Sequence, residues 1–587
     1  MVSLRKAGPV VMSEFEFKTK GDADGVLIPN VWDLVAFALT FCVFLLLGQA
    51  LRGMAFGHVV DAQGIDLSVT MLPKYALFSV ARMFVALFFS LLITFVLGTL
   101  AARSQMAERV IIPLVDVLQS IPILGYLTIA ATVFVDVFGM GTFGYEMVAF
   151  FVIFTSQVWN MILSFYQSLI MLPADLKELA AVMRLRRIQK FWRVDVPFAM
   201  PDLLINMMVS LSAGWFYIME SEAIVVSGQE DRMLLPGLGS YMWQANLQQN
   251  THALWCALGA MFVVILCYDQ LMFRPLLHVV RGYQSHDDDL LHRSWIVNLL
   301  LRTCWFKWAV EKLHRAFSGV LLRLSRYSRP VTMPYEYEEK RSSLSMGVCW
   351  LLMFCFVALS LYGMWQVIHI ASLPELFRIL LLGFFTFLRV FVLLLFCMLL
   401  WVPVGVWVGF RPAIANRVMP VIQFLAAFPP NMLYPLLMEI ILVYGLNVNI
   451  WCAPLMILGT QWYILFNVIS AVQSIDKELV YVTKQLGVKG FFLWKRLILP
   501  AIAPHLISGA MAASGGAWNA SIVAEVLTWG GQTKVAAGLG SYIHMAASRG
   551  DLDLHVLAIL VMCFYVVLIN RLFWNPLYRY VERRYAT

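Results

Sequence analysis

The sequence predicts an all-α polytopic membrane protein of about twelve spanning helices, arranged as two pseudo-symmetric six-helix halves. Composition is the first reason: 61% of the 587 residues are hydrophobic and 13% charged, with a mean hydropathy of +0.77. A water-exposed globule carries roughly 25% charged residues, so this chain lacks the polar surface to cover one. Run length is the second. Apolar stretches at 31–51, 88–100 and 391–408 suit helices crossing a bilayer, which takes about 20 residues each. Duplication is the third. Trp215 and Glu222 return as Trp518 and Glu525 at an offset of 303 residues, which also carries Pro197 to Pro500 and Pro201 to Pro504. GLGSY stands at 237–241 and again at 538–542, and RVIIPLVDVLQSIP (109–122) returns as RVMPVIQFLAAFP (417–429) with one residue deleted. A repeat this long signals a doubled membrane body, whose natural working site lies between the halves.

Taken in order, the chain opens with a polar tail at 1–30, mixed in charge and unlike a cleavable signal. The first half (31–280) is expected to span near 31–51, 76–101, 110–138, 147–170, 203–226 and 253–274. A linker at 281–345 follows, opening with HDDD at 286–289. Within it Trp295, Leu299, Trp305, Trp308 and Phe317 alternate with Arg302, Lys307, Lys312 and Arg315. That mixture suits an amphipathic helix on the membrane surface; a plain solvated tether is the other reading. The second half (346–587) is expected to span near 347–370, 377–409, 418–444, 450–472, 504–528 and 555–575. Neither the connection at 52–75 nor any other segment outside the spans is large enough for an independent catalytic domain.

The net charge is +8, and its placement explains it. With the N-terminus inside, one face collects Arg5, Lys6, Lys18, Lys20, Arg103, Arg109, the cluster Lys177, Arg184, Arg186, Arg187, Lys190 and Arg193, and the C-terminal Arg579, Arg583 and Arg584. The other receives Arg52, Lys74, Arg232, Lys534 and Arg549. The positive-inside rule then puts both termini in the cytoplasm, and no nucleic acid is needed to account for the basic balance. The nine cysteines mostly lie within apolar runs, without C-x-x-C or Cys/His spacing, so they read as core residues. The ten histidines show no metal-ligand spacing, and no metal site is expected.

Between the fourth and fifth spans of each half lies a basic, amphipathic segment ending in proline: DLKELAAVMRLRRIQKFWRVDVP at 175–197 and ELVYVTKQLGVKGFFLWKRLILP at 478–500. Each offers a short helix, a break, a second helix with aromatic and basic residues, and a Pro opening the next span. Apolar residues outside the bilayer suit insertion into a groove on another protein. Here the chain resembles the permease subunits of ATP-binding-cassette importers, whose cytoplasmic loop reads Glu-Ala-Ala, three residues, Gly, nine residues, Ile-x-Leu-Pro. In the first half Glu178, Ala180 and Pro197 match, Arg187 lies within the loop, and Arg184 holds the Gly position. In the second Gly487, Leu499 and Pro500 match, Lys489 lies within, and Tyr481, Val482 and Thr483 replace Glu-Ala-Ala. The likeness extends over nearly the whole membrane region and is closest to the nitrate/sulfonate/taurine/bicarbonate type, fused and duplicated. It implies a type I importer permease fold, two copies of a cytoplasmic ATPase holding ATP and Mg, an extracytoplasmic binding protein, and a small anionic solute. It also implies a bacterial inner membrane. No cofactor is expected on this chain itself: no G-x-x-x-x-G-K-[ST] occurs, and GGQTK at 530–534 lacks the spacing to wrap phosphates.

Several residues inside the spans are candidates for the translocation path or gate. Arg82 and Arg389 correspond; they either draw an anion between the halves or snorkel at the outer interface. Glu222 and Glu525, late in the fifth spans, either pair structurally with an Arg or line the path. Trp215 and Trp518 read as packing residues or gates, and Pro122 and Pro429 mark the third spans. Asp116, Glu220 and Glu439 lack acidic counterparts and mark where the halves diverge. GLGSY suits a re-entrant loop or a turn into a surface helix.

Two other classes compete. A secondary transporter also has about twelve spans and an internal repeat, but it leaves the paired amphipathic segments without a purpose. A polytopic enzyme would need a motif such as HExxH or G-x-S-x-G, and none is present.

Overall fold

The computed structural model describes residues 65–139, 141–224, 233–273 and 372–585, with a few isolated positions besides. The expected first spans at 31–51 and 347–370, the tail at 1–30 and the linker helix lie outside these stretches. Within the described residues, eight helices are long and apolar enough to cross a membrane, or ten if each of two bent pairs is one span.

The first half runs α1 (Leu72–Arg103), α2 (Gln105–Ser120), α3 (Ile123–Phe138), α4 (Thr142–Ile170), α5 (Ala174–Val182), α6 (Val196–Ser221), α7 (Leu238–Leu247) and α8 (Thr251–Tyr268). The second repeats it as α9 (Leu373–Gly409), α10 (Pro412–Ala427), α11 (Tyr434–Val443), α12 (Val448–Ile457), α13 (Gln461–Gln473), α14 (Lys477–Gln485), α15 (Leu499–Ala524), α16 (Leu539–Ser548) and α17 (Leu552–Ile569). A terminal helix, α18 (Asn575–Tyr585), follows. Two small antiparallel hairpins interrupt the helices at matching places. β1 (Ala223–Ile224) pairs with β2 (Met233–Leu234), and β3 (Val526–Trp529) with β4 (Gln532–Val535), where Thr528 faces Thr533. Corresponding N-caps repeat as well: Asn250 accepts from the Ala253 N–H, and Asp551 from that of Leu554.

The expected third spans at 110–138 and 418–444 are not single helices. α2 and α3 meet at 98°, and α10 and α11 at 76° across a short turn, Pro430–Leu433. Pro122 (ψ 117°) and Pro429 (ψ 113°) hold extended backbone at each break; proline removes an N–H from the ladder and disfavours helix in the residue before it. The span expected at 450–472 stands as one stretch, Val448–Gln473, with a short interruption between α12 and α13 that its counterpart α4 lacks.

Helices approach closely where side chains are absent. On α9, a Cβ at Gly405 or Gly409 would overlap Val468 or Val472 of α13. Gly98, the counterpart of Gly405, likewise lies against Phe165 of α4. Small residues four apart let two helix backbones come together in lipid, where dispersion rather than the hydrophobic effect drives packing. One contiguous apolar cluster runs through both halves.

Candidate functional site

Three constructions stand out: a charged knot in each half, a helix–break–helix segment at the opposite end, and a cavity between the halves.

In the first knot, α1 brings Ser79 and Arg82 to one face, one turn apart. Arg82 is buried and clasps Glu146 of α4 in a bidentate pair, Nε to Oε2 at 2.7 Å and Nη2 to Oε1 at 2.6 Å. Its Nη1 reaches Glu222 Oε1 and the Pro236 carbonyl, both at 2.8 Å. Glu222 also accepts from Ser79 Oγ at 2.6 Å and from the Gly239 N–H at 2.7 Å. The second knot repeats this with one change. Arg389 Nη1 meets Glu525 at 2.9 Å, and Thr386 stands where Ser79 does, donating at 2.8 Å. At the place of Glu146 the second half has Asn449, which receives Arg389 on its backbone carbonyl and its Oδ1 and accepts from the Ala537 N–H. One guanidinium thus faces two carboxylates in the first knot and one in the second. Breaking such a buried pair costs about 3–5 kcal/mol.

The knots explain GLGSY. Gly237 (φ 178°) and Gly538 (φ −166°) have extended backbone open to any residue. They are glycine because a Cβ there would occupy the carboxylate of Glu222 or Glu525. Gly239 and Gly540 are similarly pressed on backbone of α6 and α15. The motif does not lead into a surface helix: α7 and α16 start buried. Arg82 likewise fits neither of its two readings, since it neither snorkels nor stands free to attract an anion. Glu222 and Glu525 hold the structural pairing. Glu146, Asn449, Ser79 and Thr386 escaped sequence reading, and the one local signal was the hydroxyl three residues before each Arg. Trp215 packs edge-on against Tyr268, with centroids 6.2 Å apart, and Trp518 stacks on Tyr565. Both are buried packing residues in this structure.

The basic segments form as expected. After α5 comes Arg184, which adopts φ 48°, and a short helical turn (Arg187–Lys190) and a π-helical turn (Phe191–Asp195) lead into α6 at Pro197. After α14 comes Gly487 (φ 67°), and Gly490–Leu493 then Trp494–Ile498 lead into α15 at Pro500. Arg184 therefore keeps the left-handed geometry that its glycine counterpart adopts freely. Glu178 and Arg187 are exposed and Ala180 is buried; Lys489 and Leu499 are exposed. Exposed apolar residues differ: Leu179, Val182 and Met183 on the first segment, and Leu486 (74% exposed), Phe491 (74%) and Phe492 (66%) on the second. The first is also tied down. Asp195 binds Arg103 at the end of α1 at 2.9 Å and Lys190 at 3.5 Å; Ile498 occupies the corresponding place in the second.

The halves meet at the helix breaks. Ile123 N–H, just after Pro122, donates to Asn519 Oδ1 of α15 at 2.7 Å. Reciprocally, Asn431 Nδ2, just after Pro429 and Pro430, donates to the Phe216 carbonyl of α6 and to Glu220 Oε1 at 2.9 Å. Phe216 and Asn519 correspond at the 303-residue offset, so these are the two ends of one pseudo-two-fold contact. Beside it, towards the hairpins, lies a cavity of about 120 Å³ walled by both halves, including Glu220, Trp243, Asn246, Asn431, Tyr434 and His555. His555 Nε2 lies 2.8 Å from the Gly125 carbonyl and so carries the proton. Asn246 Nδ2 donates to the Thr528 carbonyl. That leaves Asn246 Oδ1, Asn431 Oδ1 and His555 Nδ1 buried without a hydrogen bond. Each such orphan costs about 1–3 kcal/mol. No metal-ligating cluster occurs among the described residues.

A family profile described as binding-protein-dependent transport system inner membrane component matches the chain twice, at 94–274 and 401–587. The chain is 26% identical over 184 residues to a putative ABC transporter permease protein of Methanocaldococcus jannaschii, covering 31% of this chain and 64% of that one. It is 23% identical over 246 residues to the bicarbonate transport system permease protein CmpB of Synechococcus elongatus, covering 40% of this chain and 81% of that protein. It is 25% identical over 149 residues to the nitrate import permease protein NrtB of Leptolyngbya laminosa, covering 25% and 48% respectively.

Proposed function

Because the chain belongs to the binding-protein-dependent transport system inner membrane components, in duplicate, we propose that it supplies both membrane halves of an ATP-driven importer for a small anion. It is a multi-pass permease of the ABC type. In the proposed cycle, the segments at 175–197 and 478–500 dock on two copies of a cytoplasmic ATPase, which binds ATP and Mg. An extracytoplasmic binding protein would deliver solute to the hairpin-bearing end. The distribution of Lys and Arg supports cytoplasmic termini.

The observation that carries this reading is the pair of matched helix–break–helix segments, each presenting exposed apolar side chains at the basic end of the molecule. Side chains such as Phe491 and Phe492 need no exposure for membrane burial, and a groove on a partner would cover them. Closing of the ATPases would draw the two segments together and rock the halves about their contact at the helix breaks, opening the cavity outward. ATP can drive this only through unequal affinity for the two states. Relatives named for bicarbonate and nitrate support a small oxyanion as the solute class.

Site-specific crosslinking tests the reading. Photoreactive residues at Val182 and Leu486 should capture an ATP-binding subunit in native membranes, and the purified chain alone should not hydrolyse ATP. Robust hydrolysis by the chain alone would overturn it, as would both positions labelled from lipid or the external face. Uptake abolished by collapsing ion gradients at constant ATP would point instead to a secondary transporter.

A further inference from the structure

Beside Trp518 lies a second cavity, within the second half, whose origin the duplication reveals. It measures about 220 Å³ and is bounded by α9, α15, the end of α17 and the π-helical turn Asn570–Trp574 that follows. In the first half a tyrosine fills the corresponding place. The Tyr268 ring lies 6.2 Å from that of Trp215 and 6.5 Å from that of Phe84, centroid to centroid. Trp518 and Phe391 correspond to those two rings, and both stand on the cavity wall. The counterpart of Tyr268 is Ile569, which has no ring to place between them. A tyrosine does occur one turn earlier, Tyr565, where the first half has Val264. It stacks on Trp518 and donates its hydroxyl to the Leu380 carbonyl at 2.9 Å, so its ring is committed elsewhere.

Two further exchanges change the chemistry of the wall. Ser514 stands where the first half has Leu211, and Trp574 where it has Phe273. Both are buried, at 5% and 4% exposed, and the Trp574 indole N–H has no hydrogen-bond partner. Trp518 adds a second indole to the wall; the remaining lining side chains, Phe387, Val390, Phe391, Leu394, Ile569 and Phe573, are hydrocarbon. No charged side chain lines it among the described residues, so an ion would enter without a counter-charge. Apolar cavities accept apolar guests, and one of about 150 Å³ takes up benzene. This one is larger and also offers N–H and O–H donors, which cost stability while unpaired. The second half has thus given up a built-in ring bearing an oxygen and gained donors suited to one brought from outside. Phe573, exposed on the outer surface of the helices, marks the side of entry.

We propose that this cavity binds a neutral one- or two-ring compound carrying a carbonyl oxygen. Its ring takes the place that Tyr268 takes in the first half, and its oxygen accepts from Trp574 or Ser514. Such a ring comes either free or as the headgroup of a prenylated quinone dissolved in the bilayer; the recognised chemistry is the same. The site is separate from the path between the halves and does not depend on the permease reading.

The test uses the full-length chain in lipid nanodiscs, with empty nanodiscs subtracted. Equilibrium binding of 1-tetralone is compared with that of tetralin, which has the same ring frame without the oxygen. Saturable binding of 1-tetralone is expected, about tenfold tighter than tetralin for one hydrogen bond gained. Ile569→Tyr, which restores the ring of the first half, should abolish it and raise the thermal midpoint. Ser514→Leu, copying Leu211, fills the same space and carries the same expectation for binding if the first variant does not fold. Trp574→Phe with Ser514→Ala keeps the cavity, removes both gained donors and should lower 1-tetralone to the affinity of tetralin. A naphthoquinone methylated at both free ring positions, compared with its prenyl-tailed analogue, separates the sources. Tighter binding of the tailed compound assigns the site to a membrane quinone, and equal or weaker binding to a free ring. The proposal is overturned by no saturable binding of 1-tetralone, by equal affinity for tetralin, or by undiminished binding to the cavity-filling or donor-free variants.

Discussion

Arg82 is the residue on which the first half turns. It satisfies two carboxylates and a carbonyl at once, so Arg82→Ala leaves Glu146 and Glu222 buried without their cation. We expect a loss of about 3–5 kcal/mol, read as a large fall in thermal midpoint in detergent. Arg389→Ala should cost less, because its side chain is partly exposed and only one carboxylate depends on it. Equal losses would contradict this asymmetry. Glycine gives a second pair of outcomes. Gly237→Ala and Gly538→Ala should each destabilise the chain by about 1–3 kcal/mol, since the new methyl overlaps a carboxylate that cannot move without releasing its Arg. Arg184→Gly should instead stabilise by about 1 kcal/mol, by relieving a left-handed residue that carries a side chain. The sequence exposed the paired Arg and Glu because each is costly in a span. It hid Glu146, because the contact joins residues 64 apart and only one half keeps the acid.

Elements were legible in proportion to how local their causes are. The helix–break–helix segments follow from residues within one or two turns, Arg184 or Gly487 at the break and Pro197 or Pro500 at the restart, and they stand where expected. The sequence places Pro122 and Pro429 within continuous third spans, whereas the helices bend sharply there. The contact with the other half, through Asn519 and Phe216, then holds each break in place. The two segments should respond differently to substitution. Phe491→Ala with Phe492→Ala should lower ATP turnover of the reconstituted complex several-fold with no change in midpoint, because both rings are exposed and contribute little to the core. Asp195→Asn should loosen the first segment from α1 and lower the yield of solute moved per ATP while ATP binding persists. Its counterpart Ile498 has no such tether to lose. Coupling unaffected by either change would show that these faces are not the handles.

For the whole molecule, duplication supplies symmetry and divergence is concentrated at the cavity between the halves. The knots, hairpins, caps and crossed contacts at the breaks repeat; the acceptors around the central cavity do not. That cavity lies between the halves, with Glu220 on α6 hydrogen-bonded to Asn431 beside α11 at 2.9 Å. In a chain whose reactive native cysteines have been replaced, Glu220→Cys and Asn431→Cys bridged by a short bifunctional thiol reagent should arrest uptake completely. Cleaving the bridge should restore part of it, limited by the lost carboxylate. A bridge between Trp215→Cys and Tyr268→Cys, both within the first half and in ring contact, should leave uptake far less affected, because in the proposed cycle the halves rock as bodies. If the bridge within one half arrests transport as fully as the bridge between halves, the moving boundary lies elsewhere. The cavity would then be a packing defect, and its orphaned acceptors would need another explanation.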